Sequence, residues 1–133
     1  MKSRSPAEVV ELYLDTLYSQ HRLDLVRELI APETWRHTPG GSVMLTLDES
    51  IERIGSFLEK FPVIRFEHAA SVVEGEIVTS IWNGWLRTQD GKDLEIGGIE
   101  VFRVVKGQIV EVWNQEPAAS RGLWQESRLS SPG

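Results

Sequence analysis

The most regular hydrophobic pattern in the chain lies near its C-terminal end, over residues 98–115. Two runs rich in β-branched and aromatic residues flank Lys106-Gly107, a dipeptide that supplies the positive φ angles of a tight hairpin turn. The pattern therefore predicts a β-hairpin. Counting outward from the turn gives three cross-strand pairs: Val104 with Ile109, Phe102 with Glu111, and Glu100 with Trp113. We expect Glu100 to lie beside a tryptophan on a largely apolar face.

The N-terminal part of the chain has helical spacing instead. The stretch Ser5-Pro6-Ala7-Glu8 combines an N-cap, a proline at the first helical position and a capping-box glutamate, and it predicts a helix that ends near Ser19. A second amphipathic run begins near Leu23 or Asp24. It stops at Ala31-Pro32, because a proline restricts the residue before it.

The middle of the chain predicts one extended segment, one helix and then strands. In the segment Thr34–Thr38, alternation places Trp35 and His37 on the same side. A third helix is predicted from a cap at Asp48 to Pro62. Three strands are predicted before the final one, separated by turns at Glu74-Gly75 and around Gln89-Asp90-Gly91: Val63 to Val73, Glu76 to Arg87, and Asp93 to Val105.

Carrying the strand register back through each turn predicts which side chains share the face of Glu100. They are His68, Asn83, Trp85, Phe102 and Trp113. The opposite face is predicted to carry Trp82, Val101, Val110 and Val112, and it is too apolar to face water. One face must cover the helices, and we expect the outer face to form a homodimer. A bulge at Gly97-Gly98 would shift the outer part of this register.

Composition limits the classes of protein and partner. A chain of 133 residues with 41% hydrophobic residues indicates one domain, and the predicted helices and strands make it α+β. Its core is expected over about residues 6–116, and the tail over 117–133 is expected to be loose, although Leu123 and Trp124 could dock on the domain. The net charge of −6, without a basic run, argues against nucleic acid and anionic membranes as partners. The absence of cysteine excludes thiolate chemistry. We expect a cytoplasmic protein, since neither a signal-peptide pattern nor a membrane-spanning apolar run is present.

The three helices, the Pro-Gly-Gly segment at residues 39–41 and the long meander that ends in Val-Phe-Arg-Val-Val-Lys-Gly-Gln-Ile-Val-Glu-Val-Trp resemble the SnoaL-like branch of the nuclear transport factor 2 superfamily. The resemblance covers about residues 7–115. It implies a cone of curved, mainly antiparallel sheet, closed by three N-terminal helices around a central pocket. Relatives include polyketide cyclases, ketosteroid isomerase, scytalone dehydratase and limonene epoxide hydrolase, so the resemblance fits several activities.

Three positions of the chain correspond to functional residues of ketosteroid isomerase. The tyrosine of the first helix, which donates to an oxyanion, is matched by Tyr13. The catalytic aspartate before the Pro-Gly segment is replaced by His37, and the oxyanion-hole aspartic acid of an Asp-Val-Xaa-Arg motif is replaced by Glu100. Polyketide cyclases and limonene epoxide hydrolases resemble each other in carrying an aspartate at the end of the last strand. The corresponding residue of this chain is Pro117, and Glu116 is adjacent to it.

We expect these residues to form one pocket in which His37 is the base, while Glu100 and Tyr13 stabilise an oxyanion. Histidine titrates near neutral pH, and a buried carboxylic acid can stay protonated and donate a hydrogen bond. Further substrate contacts are predicted from Trp35, His68, Asn83, Trp85, Phe102, Trp113 and Gln115. The simpler alternative for each residue is structural: packing for the aromatic rings, and a paired charge or a satisfied hydrogen bond for the acid and the histidines.

The favoured function is a cofactor-free enzyme that transfers a proton on a small apolar, cyclic molecule, in an isomerisation, a dehydration or an aldol-type cyclisation. The competing class is a non-catalytic module for ligand binding or dimerisation, and an epoxide hydrolase-like activity is a further alternative. An ion pair between Glu100 and an arginine, with no space beside the acid, would favour the module. No metal ion is expected, because the spacing of His37, His68 and Glu100 matches no helical or hairpin ligand set.

Overall fold

The described helices lie in the N-terminal half of the chain in the computed structural model, which describes residues 3–115 and 121–125. Helix α1 continues directly into a π-helical segment, and a short 3₁₀ helix leads into α2. The bounds are Pro6–Glu11 for α1, Leu12–Ser19 for the π-helical segment, Leu23–Leu25 for the 3₁₀ helix, Val26–Leu29 for α2 and Leu47–Lys60 for α3. None of the described helices is long and apolar enough to cross a membrane.

Two capping boxes fix the helix starts. Ser5 Oγ accepts a hydrogen bond from the Glu8 amide, and the Glu8 carboxylate accepts one from the Ser5 amide, as predicted. The predicted cap of α3 at Asp48 is wrong, because Thr46 and Glu49 form the same reciprocal pair two residues earlier. Asp48 lies in the first turn, where its negative charge favours the positive end of the helix dipole.

Six strands form one curved, unclosed sheet in the order β2-β1-β6-β5-β4-β3. Their bounds are Ile30–Thr38 for β1, Gly41–Thr46 for β2, Val63–Glu74 for β3, Ile77–Arg87 for β4, Asp93–Val105 for β5 and Gln108–Trp113 for β6. All neighbours are antiparallel except β1 and β6. Strand β2 is an addition to the predicted set, and the turn between β3 and β4 lies one residue later than predicted, at residues 75–76.

A β-bulge in the last hairpin decides which way β6 faces. The turn residues Lys106 and Gly107 both have positive φ, and Val104 pairs with Ile109 as predicted. The next pair skips Val110, which is therefore the extra residue of a bulge. Beyond it the pairs are Arg103 with Glu111, Phe102 with Val112, and Val101 with Trp113. The predicted pairs of Phe102 with Glu111 and of Glu100 with Trp113 are wrong, and Trp113 lies on the opposite face from Glu100.

The register between β4 and β5 also differs from the prediction. Arg87 pairs with Asp93 across a five-residue loop, and from there the pairing is continuous, with Ser80 opposite Glu100. An odd loop length gives the opposite parity from an even one, so Asn83 and Trp85 lie on the face away from Glu100. The expected bulge at Gly97-Gly98 is absent from this pairing.

The helices cover one face of the sheet, here called the inner face, and the hydrophobic core lies between them. Val78, Phe102, Ile109 and Val112 are sheet residues of this core. The outer face exposes large hydrophobic side chains, among them Trp35, Ile99 and Trp113. Of the residues expected on the dimer face, Trp82 and Val112 are buried on the inner face instead. The homodimer stays a prediction, with different residues on its surface.

Part of the C-terminal tail docks on the outer face. Trp124 donates from its amide to Asn83 Oδ1 at 2.8 Å and from its indole Nε1 to the Gly98 carbonyl at 3.1 Å. Arg121 forms an isolated β-bridge with Ile96. The tail is therefore not loose over residues 121–125, and the alternative that Trp124 docks on the domain is confirmed. Residues 116–120 and 126–133 lie outside the described part of the chain.

Candidate functional site

A cavity of about 150 Å³ lies between the helices and the inner face of the sheet. Its apolar lining consists of Leu14, Phe57, Phe66, Trp82 and Ile96, and its polar lining of Tyr13, Tyr18, Arg36, Arg53, Glu100, Asn114 and Gln115. An apolar cavity of about this size can hold a molecule as large as benzene. The combination of apolar walls with a few convergent polar groups is typical of a small-molecule site.

Glu100 is the one carboxylate among the described residues that line this cavity. Its side chain is on the inner face of β5 and is only 7% exposed. Trp82 Nε1 donates to Oε1 at 3.1 Å, and Asn114 Nδ2 donates to Oε2 at 3.4 Å. Within the described part of the chain, the acid forms no ion pair. It is therefore held by neutral donors, with lone pairs left for a ligand.

Burial raises the pKa of Glu100 above its usual range, because the ionised form loses its hydration. The positive charges of Arg36 and Arg53, and the hydrogen bond from Trp82, act in the opposite direction but do not cancel the effect of burial. A carboxyl group with a raised pKa is a stronger base when it is ionised, and it can return the proton that it takes up. Glu100 thus has the properties of a general acid or base.

Gly98 allows Trp82 to reach Glu100. The two residues pair across β4 and β5, and the indole of Trp82 lies so close over Gly98 that a Cβ atom there would come within 2.3 Å of the ring. No other residue type leaves this space. The Gly-Gly dipeptide in the sequence therefore marks a close approach of a tryptophan ring, and not the bulge that its composition suggested.

The π-helical segment brings two tyrosines together. Tyr13 and Tyr18 are five residues apart, which would separate them by about 140° around an α-helix, but the wider π-helical turn aligns residues at this spacing. Their hydroxyl oxygens are 3.0 Å apart, and their rings meet edge to face. One hydroxyl hydrogen is used between them, so the other can be donated to an oxygen atom of a ligand.

Tyr18 remains a hydrogen-bond donor over the whole physiological range. Burial, followed by the nearby Tyr13 phenol, raises the pKa of Tyr18 well above its usual value. Both side chains are buried, and both line the cavity. The pair therefore offers a neutral donor to a developing negative charge in a place from which water is largely excluded.

Two arginines complete the polar lining, and neither was predicted. Arg36 pairs with Val112 and therefore lies on the inner face, whereas its sequence neighbours Trp35 and His37 lie on the outer face. Arg53 comes from α3, where it follows the buried Ser50 by three residues, and it lies at the exposed mouth of the cavity. Alternation along β1 predicts that the Arg36 side chain lies on the opposite face of the strand from Trp35 and His37, but the sequence does not say which face is the inner one.

His37 lies on the outer face, so the expectation that it points to the pocket is wrong. Its Nε2 is 2.6 Å from Glu111 Oε2, and its Nδ1 is 2.6 Å from Ser42 Oγ. The ring stacks between Trp35 and Trp113, with centroid distances of 6.3 Å and 5.1 Å. The predicted common direction of Trp35 and His37 is confirmed, but all three rings face away from the cavity.

The remaining predicted residues lie in different environments. Gln115 lines the cavity together with Tyr13 and Glu100. Phe102 is fully buried in the core, and Asn83 and Trp85 face outward, where Arg65 lies 4.0 Å over the Trp85 ring. His68 is on the inner face but outside the cavity lining, and its Nδ1 is 2.9 Å from Ser80 Oγ. The structure therefore brings together three of the predicted residues.

Comparison with known structures shows the same fold in proteins of several names. A proposed polyketide cyclase from Acidithiobacillus ferrooxidans is 20% identical, with a TM-score of 0.72 over 86% of this chain and 89% of that chain. An LEH-like epoxide hydrolase from M. tuberculosis is 12% identical, with a TM-score of 0.72 over 87% and 85%. An NTF2-like protein of unknown function from Burkholderia pseudomallei is 16% identical, with a TM-score of 0.70 over 86% and 92%.

At these identities the likeness establishes the fold and not the reaction. Comparison with curated proteins gives no significant match. A model of the SnoaL-like domain matches residues 10–112, which include the helices, the sheet and most of the cavity lining. The chain therefore belongs to the SnoaL-like domain family.

Proposed function

We propose that the chain is a cofactor-free enzyme that transfers a proton on a small, largely apolar and cyclic molecule bound in the inner cavity. The observation that carries this proposal is Glu100: a buried carboxyl group with a raised pKa, without an ion pair among the described residues, at the wall of a cavity. Structural carboxylates in protein interiors are normally paired, whereas catalytic acids and bases have shifted pKa values and face a cleft.

The reaction begins with removal of a proton from carbon next to a carbonyl group. The ionised form of Glu100 takes the proton, and the electron pair of the broken C–H bond moves onto the carbonyl oxygen. The hydroxyl group available from the Tyr13 and Tyr18 pair donates to this oxygen and stabilises the enolate. Trp82 and Asn114 hold the two carboxylate oxygens of Glu100 in place. His37 takes no part, since it faces outward.

The fate of the proton then distinguishes three reactions. Return of the proton from Glu100 to a second carbon gives isomerisation. Transfer of the proton to a departing β-hydroxyl group gives dehydration. Attack of the enolate carbon on a second carbonyl group, whose oxygen then takes the proton from Glu100, gives an aldol-type cyclisation. All three need the same acid and the same oxyanion donors, so the cavity supports the common first step.

Solvent deuterium exchange tests this first step without knowledge of the full reaction. A panel of cyclic ketones and lactones is incubated with the protein in D₂O, and NMR follows loss of the α-hydrogen signals. We expect exchange by the wild type and a loss of at least ~100-fold in Glu100→Gln, since general acid–base catalysis contributes about this much. Glu95→Gln, an exposed change on the same strand, is the matched control.

The competing ligand-binding function gives a different result in this assay. In that case ligands bind, but no ketone exchanges its α-hydrogens faster than in buffer. Adding cyclic epoxides to the panel and following diol formation measures the epoxide hydrolase-like alternative in the same samples. Exchange that is equal in the wild type and in well-folded Glu100→Gln would contradict the proposal.

A further inference from the structure

We infer that the ligand of the inner cavity carries a carboxylate, which Arg36 and Arg53 bind at the cavity mouth while the apolar part of the ligand lies inside. This inference rests on the proposed use of the cavity as a ligand site, and it adds the class of substrate: a small carboxylic acid whose body is about one ring in size. The evidence lies in the position, the partners and the charge of the two arginines.

The two arginines converge from different elements on the same opening. Arg36 belongs to β1 and Arg53 to α3, yet both border the inner cavity and an open groove of about 450 Å³ outside it. Asn114 and Gln115 border the same two spaces. The four residues therefore mark the place where the cavity opens to solvent, with two cations and two amide groups around it.

Neither arginine is paired within the described part of the chain. Five other arginines form ion pairs there: Arg4, Arg22, Arg65, Arg87 and Arg103. Arg36 is half-buried, so its charge is partly removed from water, and no described carboxylate lies within ion-pair distance of it. A guanidinium group in this situation gains from an anion that reaches it, and carboxylates fit its planar fork.

The local charge balance also favours an anion. Two positive charges, from Arg36 and Arg53, adjoin one acid, Glu100, whose raised pKa reduces its negative charge. The net charge around the cavity is therefore at least +1, although the whole chain has a charge of −6. A negatively charged ligand is repelled by the protein in general and attracted at this opening, which directs it to the site.

The apolar residues define the other end of the ligand. Phe57, Phe66 and Trp82 form aromatic walls inside the cavity, and their shape suits a ring. A carboxylate at the mouth and a ring against these walls would place the middle of the molecule beside Glu100 and the tyrosine pair. A keto acid bound in this way presents its carbonyl group to the donors that the proposed reaction requires.

Benzoate and benzamide test the inference, because they have nearly the same shape and differ in charge. Isothermal titration calorimetry at low salt measures both affinities for the full chain. We expect the wild type to bind benzoate at least ~10-fold more tightly than benzamide, the scale of one charge-assisted hydrogen bond. Arg53→Met and Arg36→Met should each remove most of this preference while the affinity for benzamide changes little.

Arg65→Met is the matched control, since it also removes one positive charge but from the outer face, where Arg65 pairs with Glu67. It should keep the preference for benzoate. Because Arg53 is exposed, its variant is expected to fold even if Arg36→Met does not, and melting temperatures check both. Equal affinity for the two probes, no benzoate binding at millimolar concentration, or an unchanged preference in folded Arg53→Met and Arg36→Met would overturn the inference.

The binding experiment and the exchange experiment fail independently. Preferential benzoate binding, without exchange of any ketone or keto acid, would contradict the proposed proton transfer and leave the carboxylate site supported. Exchange of neutral ketones that depends on Glu100, without a preference for benzoate over benzamide, would support the proton transfer and overturn the carboxylate site.

Discussion

The two faces of the sheet each hold a carboxylate next to a tryptophan, but in opposite circumstances. On the inner face, Glu100 is 7% exposed and accepts hydrogen bonds only from neutral donors. On the outer face, the Glu111 side chain is 24% exposed, contacts His37 at 2.6 Å and lies 3.8 Å from Arg103. The outer acid is part of a charge network in contact with water, whereas the inner acid is buried and forms no ion pair with a described residue, although Arg36 and Arg53 lie in the same cavity lining.

This difference shows why residue type alone is a poor guide to a working group. The outer cluster contains a histidine, a serine and a carboxylate within hydrogen-bond distance, but its members satisfy one another across neighbouring strands. The inner acid retains unused hydrogen-bonding capacity beside an open volume. Reactivity is expected where a group is desolvated and faces space, and stability is expected where charges pair.

The largest expected effect comes from placing a charge on the buried face of β6. Val112 is 1% exposed and lies opposite Phe102 on the inner face, so Val112→Glu would put a carboxylate into the core in place of an apolar side chain. Burying an unpaired charge and losing a core side chain costs several kcal/mol, comparable with the whole stability of a small domain. We expect the Val112→Glu variant to be unfolded by circular dichroism.

Val110→Ala is the control on the same strand, because it shortens the extra residue of the bulge and adds no charge. Val110 is half-buried, and the substitution should cost about 1 kcal/mol or less. A Val112→Glu variant that melts cooperatively near the wild-type temperature would contradict the inner position of Val112 and, with it, the register that the bulge gives β6.

The bulge also marks the limit of what the sequence predicts. The hairpin turn at Lys106-Gly107 and the capping box at Ser5 are local, because the residues that form them are also the ones that identify them. Val110 has no such local sign: one β-branched residue among several becomes the extra one only through packing of both strands. Because the bulge was not predicted, Trp113 was assigned to the wrong face. The length of the loop before Asp93 led to the same error for Asn83 and Trp85.

The candidate site was predicted only in part, because some of its residues have a local sign in the sequence and others do not. Tyr13 and Glu100 were found because an aromatic or an acidic residue within an apolar pattern is conspicuous. Tyr18 was visible on the helix, but its approach to Tyr13 depends on the π-helical turn. Arg36 could not be assigned, since an arginine in an alternating strand is normally on the solvent side.

The second largest effect is expected from the tyrosine pair. Tyr13→Phe or Tyr18→Phe breaks the hydrogen bond between the hydroxyl groups and takes away one oxyanion donor. Deuterium exchange of ketones should fall by about 10-fold to 100-fold, and the free energy of unfolding by about 1 kcal/mol. The double variant should lose little more than the worse single variant, because the two hydroxyls act as one unit. Full exchange activity in the double variant would exclude the pair from the reaction.

The pH dependence of stability gives a smaller effect that separates the two acids. Because the pKa of Glu100 is higher in the folded than in the unfolded chain, the folded state binds more protons above about pH 4.5, and stability falls as pH rises through the folded pKa. The Glu100→Gln variant has no carboxyl group to ionise at this position, so it does not lose stability in this way. Its melting temperature relative to wild type should therefore increase as the pH rises above about 4.5 and through the folded pKa of Glu100.

Glu95→Gln serves as the control for this titration, because it removes an exposed charge from the same strand. Its melting temperature relative to wild type should change little over that range. A constant difference between Glu100→Gln and wild type across the range would contradict the burial argument for Glu100.

The smallest effect on the cavity is expected from changes to the outer face. Trp35, Ile99 and Trp113 are 48%, 42% and 37% exposed, and we propose that they pair with a second copy of the chain. Sedimentation velocity at micromolar concentration should show a dimer that Trp35→Arg dissociates. Val72→Arg, at an even more exposed apolar position near the end of β3, should stay dimeric. A monomeric wild type would refute the dimer.

The most direct test of the inner site compares Glu100→Gln with His37→Gln, one acid–base group from each face, in the deuterium exchange assay. Both variants should fold, because glutamine can keep hydrogen bonds to Trp82 in one case and to Glu111 in the other. We predict that His37→Gln exchanges the α-hydrogens of the substrate at nearly the wild-type rate, while Glu100→Gln is at least ~100-fold slower. Loss of exchange in His37→Gln with exchange retained in Glu100→Gln would contradict the assignment of the chemistry to the inner face.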